Sequence, residues 1–449
     1  MKHLKKGVKL LSILLAIVVF AGAASVSSFA ALGEKHYVIT NPYANVDWET
    51  WNAYKTQLHV HTNASDGSVP VAQVVEDHYA LDFDILALTD HMTLNRGWTV
   101  VPQTVPIMRF VKRDRTKMAP IIPVTEERYQ EIINGVGRDG RGMIDITTGV
   151  ELNGAVPSNS HVNGYFAEYG QGLIGVDGDF ETPVRENGKL GGITFLDHLG
   201  NYTRTLIDND PSLSDSPKHI NKFTNIFLNY GSCVGMDINS GQDTHTQYDR
   251  KLYDNILQKT IPYGVVPWSF TFSDAHDLGQ WDRAFTVHMM TEQTQTDLRR
   301  SMEEGTFFSV SRYARAELGQ DFLGEGAVPA VTSISVDAQE NTITLTGENY
   351  DNIVWVADGK EIATGATIDI NDYEDDVTCY VRAYLTGPGG ICYVQPFTVI
   401  EEGVVLEKEV IPPTNDRSTS LRNLVTFLDD FFFSWNPLIR LFKKYALGL

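Results

Sequence analysis

The chain has 449 residues, a net charge of −21 at neutral pH and only three cysteines. That length exceeds one average domain but suits a barrel of about 200–300 residues with a smaller module attached. So acidic a surface repels nucleic acid and anionic membrane at long range, and the absence of any Cys-x-x-Cys spacing excludes a thiolate metal site.

In chain order, residues 1–30 read as a secretory leader. Lys2, Lys5, Lys6 and Lys9 precede the apolar run LLSILLAIVVFAGAA, and small residues surround a cut expected after Ala30. The run is short for a membrane span of about 20 residues, so an uncleaved anchor is the weaker reading. Removing four lysines and no acid takes the charge from −21 to −25. The mature chain is expected to be secreted or to sit at the cell surface.

Residues 31–56 form a polar and aromatic lead-in, NPYANVDWETWNAYK, before the strand TQLHVHT. PVAQVVEDHYAL has helical spacing at Val71, Val74, Val75, His78 and Tyr79, with Pro70 suited to the first turn. DILALTDH reads as a buried strand. Residues 93–124, rich in Pro, Arg and Lys, interrupt the rhythm and read as an insertion. TEERYQEIINGV predicts a helix with an acidic first turn and Thr125 as its cap.

Further strands are predicted at MIDITTGVEL, HVNGYF, GITFLDH, CVGMDINS, GVVPWSFTFSDAH and AFTVHMM. Helices are predicted at KHINKFTNIFLNYG, DRKLYDNILQKT and TQTDLRRSMEEG. Apolar strands alternating with helices predict a parallel sheet, closed or open, ending near Gly326. From 328 to 402 short alternating strands predict a β-sandwich, in which Cys379 and Cys392 either pair across a hairpin or remain thiols. Residues 403–449 read as a linker and an amphipathic aromatic tail. The tail is expected to pack on the surface as a helix; Arg440, Lys443 and Lys444 beside apolar residues keep cell-surface or membrane-interface contact as the alternative.

The chemistry concentrates at predicted strand ends. Side chains two apart on a strand share a face, so His59 and His61 converge, with Asp66 in the following loop. Asp90 and His91, Glu151, His161, Asp197 and His198, and Asp274 and His276 recur at other strand ends. One histidine among apolar residues is ordinarily structural, but packing does not require six of the chain's twelve at these positions.

HVHTNASDG, LTDH and FSDAHD resemble the PHP (polymerase and histidinol phosphatase) family of metal-dependent phosphoesterases over residues 55–315. The resemblance implies a distorted (β/α)7 barrel over 57–327 whose wide end holds two or three divalent metals. It implies one metal on His59, His61, Glu151 and Asp274, a second on Asp66, His91 and His276, and a third on Glu151, His161 and His198. Thiolate-free nitrogen and oxygen ligation suits Zn²⁺, Mn²⁺ or Fe²⁺. Asp90 and Asp197, each preceding a ligand histidine, are expected to support rather than bind metal.

Three such ions bring a charge of +6, and Asp66, Glu151 and Asp274 return −3. The residue of about +3 suits a phosphate dianion. The expected nucleophile is a metal-bridging water held by Glu151, Asp274 and His276. The substrate expected is a small phosphorylated molecule rather than nucleic acid. Arg109, Arg113 and Arg115, with Lys112 and Lys117, form either a flap that contacts substrate or a solvated basic loop. Asn153, Asn201 and Trp268 adjoin ligand segments and are candidates to line the pocket. Two alternatives are an ester, carbamate or amide hydrolase on the same metals, and a cell-surface binding module for which the barrel is scaffold.

Overall fold

The computed structural model describes residues 35–104, 119–154, 160–172, 180–205 and 210–413. The segment read as a leader, the basic stretch with Arg109, Arg113 and Arg115, and the aromatic tail lie outside the described residues.

The apolar spacing after Pro70 produces helix α1 (Val71–Ala80), which buries Val71, Val74, Val75, His78 and Tyr79. Thr125 caps α2 (Glu126–Ile133), its side chain accepting the Arg128 amide. Five further helices lie among the described residues: α3 (Glu181–Lys189), α4 (Leu199–Thr203), α5 (Pro217–Asn229), α6 (Asp249–Thr260) and α7 (Gln295–Glu304). The chain is a mixed α/β protein.

Strands β2 (Asn52–Gln57), β3 (Ile85–Leu86) and β4 (Ile144–Asp145) run parallel. A second sheet has the order β5 (Val150–Asn153), β6 (His161–Tyr165), β7 (Ile193–Leu196), β8 (Cys233–Ser240) and β9 (Trp268–Phe272). Strands β7, β8 and β9 are parallel to one another, but β6 is antiparallel to both its neighbours. The expected all-parallel arrangement therefore fails at β6. The physical reason is in the chain: only residues 154–160 separate β5 from β6, too few for a parallel crossover of about a dozen residues.

Isolated parallel bridges join the sheets at two places, Val60 with Ala275 and His91 with Glu151. Between the sheets, Leu58, Ile85, Phe195, Phe270, Phe272 and Phe307 belong to one buried cluster. Phe195 and Phe272 stack there at 4.6 Å. This apolar floor gives the polar cluster beside it a fixed base.

Strand β10 (Ala284–Met290) pairs antiparallel with β2 and with β11 (Phe307–Ser311). The β-rich segment contributes a three-stranded sheet of β12 (Ala330–Asp337), β13 (Thr342–Glu348) and β16 (Thr367–Asp369). Its other strands are β14 (Asn352–Ala357), β15 (Lys360–Thr364), β17 (Tyr380–Gly387), β18 (Gly390–Tyr393) and β19 (Phe397–Glu401). These extend the larger sheet, because β18 pairs with β11 and β19 with β1 (Tyr37–Thr40). Strand pairing thus crosses the positions expected to separate lead-in, barrel and sandwich, and the described residues from His36 onward form one compact unit. Cys233, Cys379 and Cys392 are buried free thiols.

Candidate metal centre

Strand β2 ends at Gln57, yet the chain stays extended long enough for Val60 to bridge Ala275 and for the His61 amide to donate to the Ala275 carbonyl at 3.0 Å. Leu58 and Val60 turn into apolar clusters. The intervening His59 and His61 turn to the other side, ring centres 5.1 Å apart. Gly67 closes the next turn against His61: a Cβ there would lie 2.7 Å from the Thr62 carbonyl and 2.9 Å from that of His61. Asp66 is thereby brought back over the histidines, its Oδ1 3.4 Å from His61 Nδ1.

The buried Glu151 on β5 is the hub. Its Oε2 lies 2.8 Å from His91 Nδ1, 3.1 Å from His61 Nε2 and 3.9 Å from His59 Nε2. Its Oε1 lies 2.6 Å from His161 Nδ1 and 3.5 Å from His198 Nε2. Asp274 Oδ1 approaches His59 Nε2 at 2.9 Å and His61 Nε2 at 3.3 Å. His276 stacks on His61 at 4.1 Å and points Nε2 at Asp66 Oδ1, 3.3 Å away. All nine residues expected to ligate metal lie in this one cluster.

Their grouping differs in part from the sets that the resemblance implies. Ligand atoms of His61, Asp66, His91 and His276 converge, as do those of His59, His61 and Glu151 and those of Glu151, His161 and His198. A further set joins Asp274 to His59 and His198. His61 thus reaches two groups. Asp274 lies at the junction of its own group with His61.

Backbone strain marks the same place. Asp274 has φ 46° and His198 φ 24°, in the left-handed region where residues other than glycine are costly. Carboxylates hold the His198 turn: Asp237 accepts the His198 amide at 3.4 Å and Asp249 that of Gly200 at 2.9 Å.

These atoms fit divalent cations. Both oxygens of Glu151, His61 Nε2 and His91 Nδ1 are buried and make no hydrogen bond of proper geometry, although donors and acceptors crowd within 4 Å. At His161 burial outweighs the neighbouring Glu151 and holds the imidazole below its ordinary value, whereas at Glu151, Asp274, His61 and His198 mutual attraction overrides burial. Glu151 and Asp274 are held well below the ordinary carboxylate range beside the imidazoles, while His61 and His198 are pushed up to about 10 by the carboxylates facing them. The cluster therefore demands positive charge at its centre, which is what bound cations provide.

Asp90 turns away from the cluster, accepting the Thr62 and Ser65 amides and both their hydroxyls at 2.6–3.0 Å. It folds the loop that carries Asp66. Asp197 accepts the Asn163 amide at 2.9 Å, and burial pushes its carboxyl up to about 8. Asn163 also meets His59 Nδ1 and so orients a ring whose Nε2 faces the cluster. Sequence reading missed Asn163. Its position two residues after His161 on β6 was the available signal.

Asn153 and Asn201 touch His161 and His198, at 3.0 and 3.4 Å. Trp268 does not reach the cluster. It opens β9 at the end opposite Asp274, donating its indole N–H to Glu303 and covering Gly305. A seventh imidazole, His245 in the loop between β8 and α6, stands exposed near His198 and Asp274.

No protein-family profile matches the chain, and no curated protein matches it. Among solved structures it is similar to a two-domain protein from Bacteroides vulgatus containing a predicted PHP-like metal-dependent phosphoesterase. That match has 15% identity over 85% of this chain and 93% of the other, with a TM-score of 0.39. It is also similar to an amidohydrolase from Chromobacterium violaceum, at 15% identity over 50% of this chain and 88% of the other, with a TM-score of 0.29.

Proposed function

We propose that the chain is a secreted metal-dependent hydrolase of phosphate esters, of PHP type, working at a two- or three-ion site. The observation that carries this reading is Glu151: a fully buried carboxylate without a proper hydrogen bond, faced by nitrogens from five histidines on four segments. Water or packing alone does not stabilise such a group. The wide-end strand order of a seven-stranded barrel would result from closing β2, β3, β5, β6, β7, β8 and β9 through the two isolated bridges. The motifs in residues 59–67 and 272–277 support the family reading, and the apolar leader supports export.

His59, His61, Asp66, His91, Glu151, His161, His198, Asp274 and His276 would hold the ions, zinc, manganese or iron suiting such donors. Bound divalent ions would supply Lewis acidity toward the phosphoryl oxygens and ionise a water at neutral pH. The protein's own part is positional. Glu151, Asp274 and His276 face the centre of the cluster, the first two from inside and His276 from the rim. Asp90, Asn163, Asp237 and Asp249 hold the ligand-bearing backbone or rings in place.

Metal-loaded protein is expected to hydrolyse p-nitrophenyl phosphate at least about 10³-fold faster than His59→Ala and Asp274→Ala variants. Activity no greater than these controls on every phosphoester would overturn the proposal. Faster turnover of aryl acetates than aryl phosphates would move the chemistry to a carbonyl substrate on the same residues.

A further inference from the structure

We propose that His245 is a substrate-facing residue that donates an imidazole N–H to the leaving-group oxygen, which makes unactivated alkyl phosphates the substrate class. The inference rests on the phosphoesterase reading and extends it.

His245 belongs to none of the four convergent ligand groups found among the described residues. Its loop nevertheless abuts the cluster at two places. The His245 carbonyl lies so close to Gly200, two residues after His198, that a Cβ on Gly200 would come within 1.7 Å of it. On the other side, the point where Gly241 would carry a Cβ is 3.9 Å from Asp274 Oδ2 and 3.9 Å from Cδ2 of the His245 ring. Gly241 thus adjoins both the His245 ring and the Asp274 carboxylate, with the Thr244 hydroxyl 3.8 Å from the same point. The ring is exposed, unlike the buried His59, His61, His91 and His198.

The loop is rigid enough to aim a side chain. Gly241, Gln242 and Asp243 have φ of 53°, 64° and 59°, an arrangement that persists only when its surroundings enforce it. Asp243, fully buried, accepts both terminal nitrogens of Arg250 at 2.6 and 2.9 Å and the Arg315 amide at 2.7 Å. Arg250 also reaches Glu317 at 2.6 and 2.8 Å, and Thr246 ties the loop back to the Ser240 amide at 2.9 Å. A buried network of this density is an expensive support for a solvent loop with no task.

The assignment to the leaving group follows by chemistry. Cations held by the nine ligands would supply Lewis acidity to the phosphoryl group and the attacking water, and an imidazole at the rim of the cluster would add a hydrogen-bond donor for the departing oxygen. A neutral imidazole N–H can hydrogen-bond it as the P–O bond breaks, and the departing alkoxide then takes its proton from solvent water. An alkoxide needs such a donor far more than a nitrophenolate does.

The test compares wild type, His245→Ala and His245→Gln on p-nitrophenyl phosphate and an alkyl phosphate such as glycerol phosphate, with metal content measured by elemental analysis. His245→Ala should lose about 100-fold in kcat on the alkyl ester and less than about 5-fold on the nitrophenyl ester. His245→Gln, which keeps an N–H, should recover part of the loss. Metal equivalents should be unchanged, and inorganic phosphate, which has no leaving group, should inhibit all three alike. An equal loss on both esters, no loss on either, weaker phosphate inhibition or a missing metal equivalent would each overturn the assignment. A metal-loaded wild type inactive on both esters would instead defeat the phosphoesterase reading, and this inference with it.

Discussion

Among single residues Glu151 bears the greatest electrostatic load, because its two buried oxygens face five imidazole nitrogens. Glu151→Gln keeps the shape and removes the charge. It should bind at least one metal equivalent fewer, by elemental analysis, and show less than half the wild-type rise in melting temperature on metal addition. Full metal content in that variant would show that the carboxylate is not a ligand. The alternation rule made His59 and His61 legible as a converging pair, since Leu58 and Val60 are apolar and buried on the opposite side. It did not reveal His245 or Asn163. Both act across distances of chain that only folding brings together: Asn163 lies 104 positions from His59.

Among elements, the helices were the most legible part. The spacing of α1 and the Thr125 cap of α2 are local properties, and the structure reproduces both. Sheet direction was less so, as β6 shows. Less legible still was the seam by which the β-rich segment joins the rest. At that seam Arg382 on β17 donates to both oxygens of Asp254 on α6 at 2.7 Å, and Tyr380 donates to Asp254 at 2.8 Å, all three buried. Breaking such a pair leaves one charge buried and uncompensated. Arg382→Leu should therefore cost about 3–5 kcal/mol in denaturant unfolding, while Arg382→Leu combined with Asp254→Leu should cost less than Arg382→Leu alone. A double variant less stable than that single would show that the pair contributes net stability.

At the scale of the molecule, two histidines remote from the cluster set an acid limit. Burial pushes His288, bonded to Ser301 and Thr286, down to about 3, and His78 down to about 4. Each is neutral in the fold and protonates first when unfolded, so each contribution is complete above pH 6.5 and is lost as pH falls below that value. The loss is about 1.4 kcal/mol per pH unit for each histidine until its folded value is reached. The fall in unfolding free energy from pH 7 to pH 5 should therefore be smaller by about 2 kcal/mol in His288→Gln than in wild type. An unchanged pH dependence would show that His288 protonates readily inside the fold.

The sequence by itself determined that His59 pairs with His61 and Asp274 with His276, because short His-x-His and Asp-x-His spacings are covalent facts of the chain. It also determined where most helices form, since their apolar spacing and caps lie within a few residues of one another. Only the tertiary structure decided that nine ligand candidates converge in one cluster, with Glu151 facing five of its histidines, and that the β-rich segment continues the larger sheet. It alone placed the His245 loop between His198 and Asp274. These outcomes depend on contacts between residues tens to hundreds of positions apart. Local preference does not encode such contacts, and the packing of the whole molecule selects them.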